Sequence, residues 1–268
     1  MLEIFQYGFM QRALVAGMMI AIICSAVGTF IVLKRLSMIG DGLAHIALGG
    51  VALGLFLNVY PLISALLFAV ASALGISRLR KTEVRGDVAI AIFFSAGLAV
   101  AVILLSLANG FNVNLFSYLF GSILTVDETD LQIILILGIL TVGAIILFYK
   151  ELVYLTFDEE SAMVSGIPVE KLNNALFVLT AITVVISIKI VGVLLVSSLL
   201  VVPAATSLLI AGNFRETILF SIIFAIFSVI AGLISSYYFN IATGGAIVFA
   251  TIILFVMVLF YKNSKGVA

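Results

Sequence analysis

Apolar runs of roughly 20 residues, the length needed to cross a bilayer core, alternate with short polar breaks along almost the whole chain. Nine such runs can be drawn, over about 13–33, 39–57, 60–78, 88–108, 130–149, 173–191, 192–211, 217–238 and 243–261. The seventh follows the sixth with almost nothing between them, so fusing or breaking that pair changes the count to eight. The pattern predicts an all-α, polytopic helical membrane protein of eight to nine transmembrane helices in one transmembrane domain, 1–268. Composition agrees: 64% of residues are hydrophobic and 10% charged, more apolar surface than one soluble core holds.

Polar positions between the runs add a direction. Place the breaks after runs one, three, five and seven, and the C-terminus, on the cytoplasmic side. Lys34, Arg35, Arg78, Arg80, Lys81, Arg85, Lys150, Lys171, Arg215, Lys262 and Lys265 then all lie there, which leaves Arg12 and Lys189 towards the other face. That asymmetry predicts an N-terminus outside and a C-terminus inside a cell membrane. The first eleven residues lack the basic start of a cleaved signal peptide, so the first span is expected to act as the insertion signal. Formal net charge is zero, which argues against a nucleic-acid partner. Cys24 is alone and apolar in setting, so it is expected to pack and to form no disulfide.

One stretch carries candidate chemistry: Gly40-Asp41-Gly42-Leu43-Ala44-His45. Four residues apart on a helix, Asp41 and His45 share a face and can reach one ion. His45 is the single histidine of the chain. Ionisable groups inside a membrane segment are costly unless partnered and mark a site or a pathway. The plainer reading is a buried histidine whose hydrogen bond is satisfied by Asp41 itself.

Other features read as packing or pathway. Gly50-xxx-Gly54 invites close helix approach. Pro203 removes a backbone hydrogen bond inside the seventh run, and Ser197, Ser198 and Thr206 near it either face a path or bond back to their own helix. Residues 110–128 are amphipathic and too short to span, with Tyr118 and the phenylalanines expected at headgroup depth. Asp127, Glu128 and Asp130 then form an acidic mouth or a helix start, since Thr125 and Glu128 fit a capping box. In the cytoplasmic segment, Thr156 and Glu159 likewise fit a capping box. Gly166 and Pro168 are placed to end a two-turn helix there, interfacial or docking in role, with Ala162 small enough for close contact.

Three stretches together resemble the permease subunits of the ABC-3 family. They are Lys34 to His45, Tyr118-Leu119-Phe120-Gly121, and Val191 to Ala205 (Val-Gly-Val-Leu-Leu-Val-Ser-Ser-Leu-Leu-Val-Val-Pro-Ala-Ala). The resemblance implies an ATP-driven importer of zinc, manganese or iron, with two permease copies, two cytoplasmic ATPase subunits and an extracytoplasmic metal-binding protein. It implies that Asp41 and His45 line the metal path. It also places the family's coupling helix on Asp158, Glu159, Ser161, Ala162 and Gly166. No cofactor is expected to be held permanently; the metal, Zn²⁺ or Mn²⁺, is cargo. No Gly-x-x-x-x-Gly-Lys-Ser/Thr run is present, so ATP hydrolysis is expected on another chain and this one is not read as an enzyme. Two ligands are too few for either metal, so a second copy is expected to bring its own Asp41 and His45 to the same ion.

Three rivals remain. A proton-coupled secondary metal transporter would also use an Asp/His pair. An intramembrane hydrolase would need a nucleophile beside a base, or metal ligands on several spans. A structural scaffold leaves Asp41 without a purpose.

Overall fold

The structure is a computed structural model that describes residues 6–80, 82, 86–107, 113–122 and 126–264, without the side chains of 113–115. Eight of its helices are long and apolar enough to cross a membrane. They are α1 (Gly8–Leu33), α2 (Ile39–Leu57), α3 (Pro61–Leu79), α4 (Gly86–Leu107), α6 (Glu128–Leu147), α9 (Val169–Val191), α11 (Phe214–Phe239) and α12 (Thr243–Ser264). The short helices are α5 (Val113–Phe120), α7 (Tyr149–Phe157), α8 (Glu159–Val164) and α10 (Val196–Leu208).

The seventh expected run is therefore not a full span. Its helix, α10, has 13 residues, about 20 Å at 1.5 Å per residue, against a hydrocarbon core of roughly 30 Å. Gly192 breaks the chain at φ +89°, and residues 192–195 run as irregular backbone and turn, buried at Gly192 and Val193, exposed at Leu194 and half-buried at Leu195. Such backbone survives at membrane depth only where protein surrounds it.

Contacts sort the helix ends into two sets. At one end Arg12 donates to the Val126 carbonyl and Lys189 meets Asp130, while Phe9 shares a cavity wall with Asn240 and Thr243. At the other, Lys34 reaches Glu159 and Asn173, and the ring of Phe214 packs on Phe30 and Phe157. Because α12 runs antiparallel to α11, with Ile247 against Gly232, Gly8 and Ser264 lie at opposite ends of the bundle. Every described basic residue assigned above to the cytoplasmic breaks falls at the Lys34 end.

Helices α1, α2 and α9 form the buried centre. Small residues let the neighbours of α2 approach. A methyl on Gly50 would lie 2.6 Å from the Cα of Ala65, and one on Gly54 2.8 Å from the Cα of Pro61, so the expected close-packing pair serves α3. On the α4 side a methyl on Gly97 would lie 2.5 Å from the Cα of Ile46.

Two helix caps fall elsewhere than the sequence pattern placed them, and only the first is a capping box. Asp127, not Thr125, caps α6: its side chain accepts from the Asp130 N–H at 2.7 Å, and Asp130 accepts in return from the Asp127 N–H. Thr125 lies outside the described residues. Asp158, not Thr156, caps α8 by accepting from the Ser161 N–H at 2.9 Å. Thr156 instead ends α7, with its hydroxyl turned back to the Leu152 carbonyl. The expected two-turn helix is thus six residues long.

Candidate metal-path site on α2

Over Ile39–Ala52 every residue of α2 is buried except Asp41 and His45. The apolar positions and glycines of this stretch are spent on α3, α4, α9 and α10, which leaves one ionisable stripe only partly covered, by α4. Asp41 borders a cavity of about 260 Å³ together with Met38, Gly42, Asp87, Ile90, Ala91 and Phe94.

The His45 ring is oriented by its own helix. Its Nδ1 lies 3.0 Å from the backbone carbonyl of Asp41, and a carbonyl can only accept, so Nδ1 carries the proton. The Nε2 lone pair is then available to a ligand, an arrangement metal-binding imidazoles use. The ring stacks obliquely on Phe94, with centroids 4.3 Å apart. His45 therefore does not consume the Asp41 carboxylate, and among the described residues no hydrogen bond or ion pair reaches that carboxylate. Both groups keep acceptor capacity on one face.

Asp87 was not anticipated as a neighbour of Asp41. It sits in the first turn of α4, exposed, on the wall of the same cavity. No cluster of three or more His, Cys, Asp or Glu able to hold a metal is present among the described residues.

The residues around Pro203 divide. Ser197 is nearly buried, and its Cβ would lie 3.3 Å from a methyl on Gly40, immediately before Asp41. Ser198 is half-buried. Thr206 is buried with its hydroxyl 2.7 Å from the Val202 carbonyl, bonded back to its own helix. Pro203 is buried inside α10. Cys24 packs, its Sγ 3.3 Å from the Ser187 hydroxyl.

Around α8, Ala162 is buried while Met163 and Val164 are exposed, Val164 at 90%. Gly166 adopts φ +80° and terminates the helix, with Ile167 N–H donating to the Ala162 carbonyl at 3.1 Å. Ser161 holds the Asp158 carboxyl below the usual carboxylate range through its hydroxyl and its N–H. Glu159 bonds Lys34, whose ammonium also reaches Asn173 at 2.8 Å. Burial pulls Lys34 below the ordinary lysine value, and Glu159 partly offsets this.

The profile of the ABC 3 transport family matches residues 6–262. The chain belongs to that family. A manganese transport system membrane protein, MntC of Listeria innocua, is 37% identical over 257 residues, covering 95% of this chain and 91% of the relative. The high-affinity zinc uptake system membrane protein ZnuB of Haemophilus influenzae is 35% identical over 252 residues, 94% of this chain and 97% of its own. In solved structures, a chain of PsaBC from Streptococcus pneumoniae in complex with Fab superposes with a TM-score of 0.87 at 34% identity, covering 96% of this chain and 93% of that one. This is thus a multi-pass membrane permease of the ABC class, and the proton-driven, hydrolase and scaffold alternatives are set aside.

Proposed function

We propose that the chain is the permease subunit of an ATP-driven importer for a divalent transition metal, Mn²⁺ or Zn²⁺, and that its ion passes along the Asp41–His45 stripe. One observation carries this reading: on a helix otherwise buried for fourteen residues, the two positions only half-buried are the carboxylate and the imidazole. Facing lipid, such a pair would be costly. Facing a second copy across a water-accessible path, it is useful.

An imidazole nitrogen and a carboxylate oxygen suit Zn²⁺ and Mn²⁺ alike. A homodimer brings a second Asp41 and His45, and water completes the shell. Exchangeable ligands matter here, because an ion held as in a structural site could not leave. The relatives' names, manganese transport for one and zinc uptake for the other, support the same cargo class.

ATP hydrolysis resides on separate cytoplasmic subunits that dock on α8, where Met163 and Val164 offer apolar contact and Ala162 seats the helix on its own chain. The Glu159–Lys34 pair leads from α8 to the turn between α1 and α2. A push on α8 is thereby delivered a few residues from Asp41. An extracytoplasmic metal-binding protein supplies the ion at the opposite end, towards Asp127 and Asn240.

The test is replacement of Asp41 or His45 by Ala in the assembled transporter. Accumulation of radiolabelled manganese and zinc should be lost while co-purification with the ATPase persists. Uptake at the parent rate in either variant would refute the assignment, and competition between the two ions ranks them.

A further inference from the structure

Arg215, near the start of α11, lines a surface groove of about 370 Å³ together with Ile218, with Ile146 at the end of α6 and with Tyr149 at the start of α7. The groove lies at the Lys34 end of the bundle, where Phe214 packs on Phe30 and Phe157. Its two long walls, α6 and α11, each pack on α1. The α6 wall continues towards the bilayer centre through Gly143 and Ile139, three and seven residues before Ile146 and so on the same face. All three are exposed, and a methyl on Gly143 would meet nothing within 4 Å. The lane is apolar, open, and long enough for a hydrocarbon chain.

Nothing in the chain answers the charge at its mouth. Among the described residues Arg215 has no hydrogen bond, ion pair or ring contact. Other cations at this end are engaged: Lys34 is bonded to Glu159, and the Arg80 guanidinium lies over the Phe177 ring at 5.3 Å. Glu216, next along from Arg215, is spent on its own helix start. Its carboxylate accepts from the Gly212 N–H and from Asn213 Nδ2, each at 2.8 Å. Among the described residues no carboxylate lines the groove, and the Tyr149 hydroxyl there has no hydrogen bond.

A guanidinium fork grips phosphate oxygens in pairs. Basic pockets between helices at the cytoplasmic face suit anionic headgroups, because that leaflet carries the negative lipid. A free anion would use the charge but leave the apolar walls in contact with nothing that wants them. A phospholipid uses both.

We propose that this groove binds one anionic phospholipid of the inner leaflet, its phosphate on Arg215 and Tyr149 and an acyl chain along Ile146, Gly143 and Ile139. The lipid clasps α7 to α11. The rings of Tyr149 and Phe214 lie 6.0 Å apart, and Phe214 meets Phe157, the last residue of α7. Asp158, the cap of α8, follows at once, so the clasp steadies the base of α8. The site makes no use of the Asp41–His45 stripe.

The experiment titrates the delipidated permease–ATPase complex in detergent with phosphatidylglycerol or phosphatidylcholine, counts bound lipid by native mass spectrometry, and follows thermal melts. Phosphatidylglycerol should saturate at one molecule per permease chain and raise Tm by a few degrees, as any ligand of the folded state must. Arg215→Gln should bind it roughly fivefold more weakly, the scale of one basic side chain at an anionic headgroup, and should lose the Tm shift. Arg215→Lys should keep most of both. Arg78→Gln, which removes an exposed charge at the same end but off the groove wall, should behave as the parent. Equal binding of the two lipids, parent-like binding by Arg215→Gln, or an equal loss with Arg78→Gln overturns the proposal. So does displacement by inorganic phosphate at matched concentration, which would make the occupant a free anion. A complex that binds no phosphatidylglycerol overturns it as well, since the ATPase would then cover Arg215. Should Arg215→Gln not assemble, Ile146→Trp, which fills the groove and spares the charge, decides: lost lipid supports the site and retained lipid overturns it.

Discussion

Lys34, the first residue after α1, is bonded to Glu159, the first residue of α8. Six residues of turn and helix then separate Lys34 from Asp41. The junction is short and its ammonium is nearly buried, with Asn173 of α9 as a further partner, so displacement of α8 cannot be absorbed by slack side chains.

That linkage predicts uncoupling. Lys34→Met should leave the ATPase bound and hydrolysing while the metal moved per ATP falls several-fold, in the range of ordinary coupling energies. Glu159→Gln, which retains a hydrogen-bond acceptor, should fall less. The check is ATP hydrolysis and metal uptake measured on the same vesicles.

Asp87 should matter less than Asp41. It borders the same cavity but is exposed at the start of α4. Asp87→Asn is expected to slow uptake only a few-fold, with a larger effect at low metal concentration, since an exposed carboxylate chiefly raises local cation concentration. A concentration series of manganese uptake checks this, and the deficit should shrink in high salt.

Packing of α2 on α4 gives a stability prediction. Gly97→Val places new carbon where Ile46 backbone already lies, and the overpacking should cost about 1–3 kcal/mol. Gly143→Ala, on α6 with nothing within 4 Å of the added carbon, should leave Tm unchanged or slightly raised. Thermal melts of the detergent-solubilised protein compare them.

The Asp158 cap has a defined pH sign. Its folded pKa lies below the ordinary carboxylate value because the Ser161 hydroxyl and N–H favour the carboxylate. Its contribution is therefore present above that value and fades only as pH falls through the lower one. Acidifying from neutrality to about pH 5 should not disturb ATPase docking through this residue, whereas Asp158→Ala should weaken docking at neutral pH. Co-purification of the ATPase at the two pH values measures both.

Much of this was readable from residue order. Apolar length located the long helices, and the Asp41–His45 spacing marked the stripe that α2 leaves half-buried. The described basic residues fall at the two ends as their positions implied. What escaped was set by contacts that local pattern does not carry. The apolar run from 192 to 211 looks like a span because it carries no charge, and its short helix follows from a backbone junction with Tyr118–Gly121. Thr156 and Asp158 both fit a cap, and the choice fell to Asp158 once the Thr156 hydroxyl had turned to Leu152. Lys189 registered only as an isolated charge, because its partner Asp130 lies on another helix. Asp87 was hidden for the same reason.

The half-length of α10 has a consequence for mapping the protein in cells. Counting long apolar helices gives an even number, which by parity would leave both chain ends in one compartment. Because α10 carries the backbone back to the Lys34 end without itself traversing the bilayer, reporter proteins fused at the two extremities should light up in different compartments, and hydropathy arithmetic alone would misassign one of them.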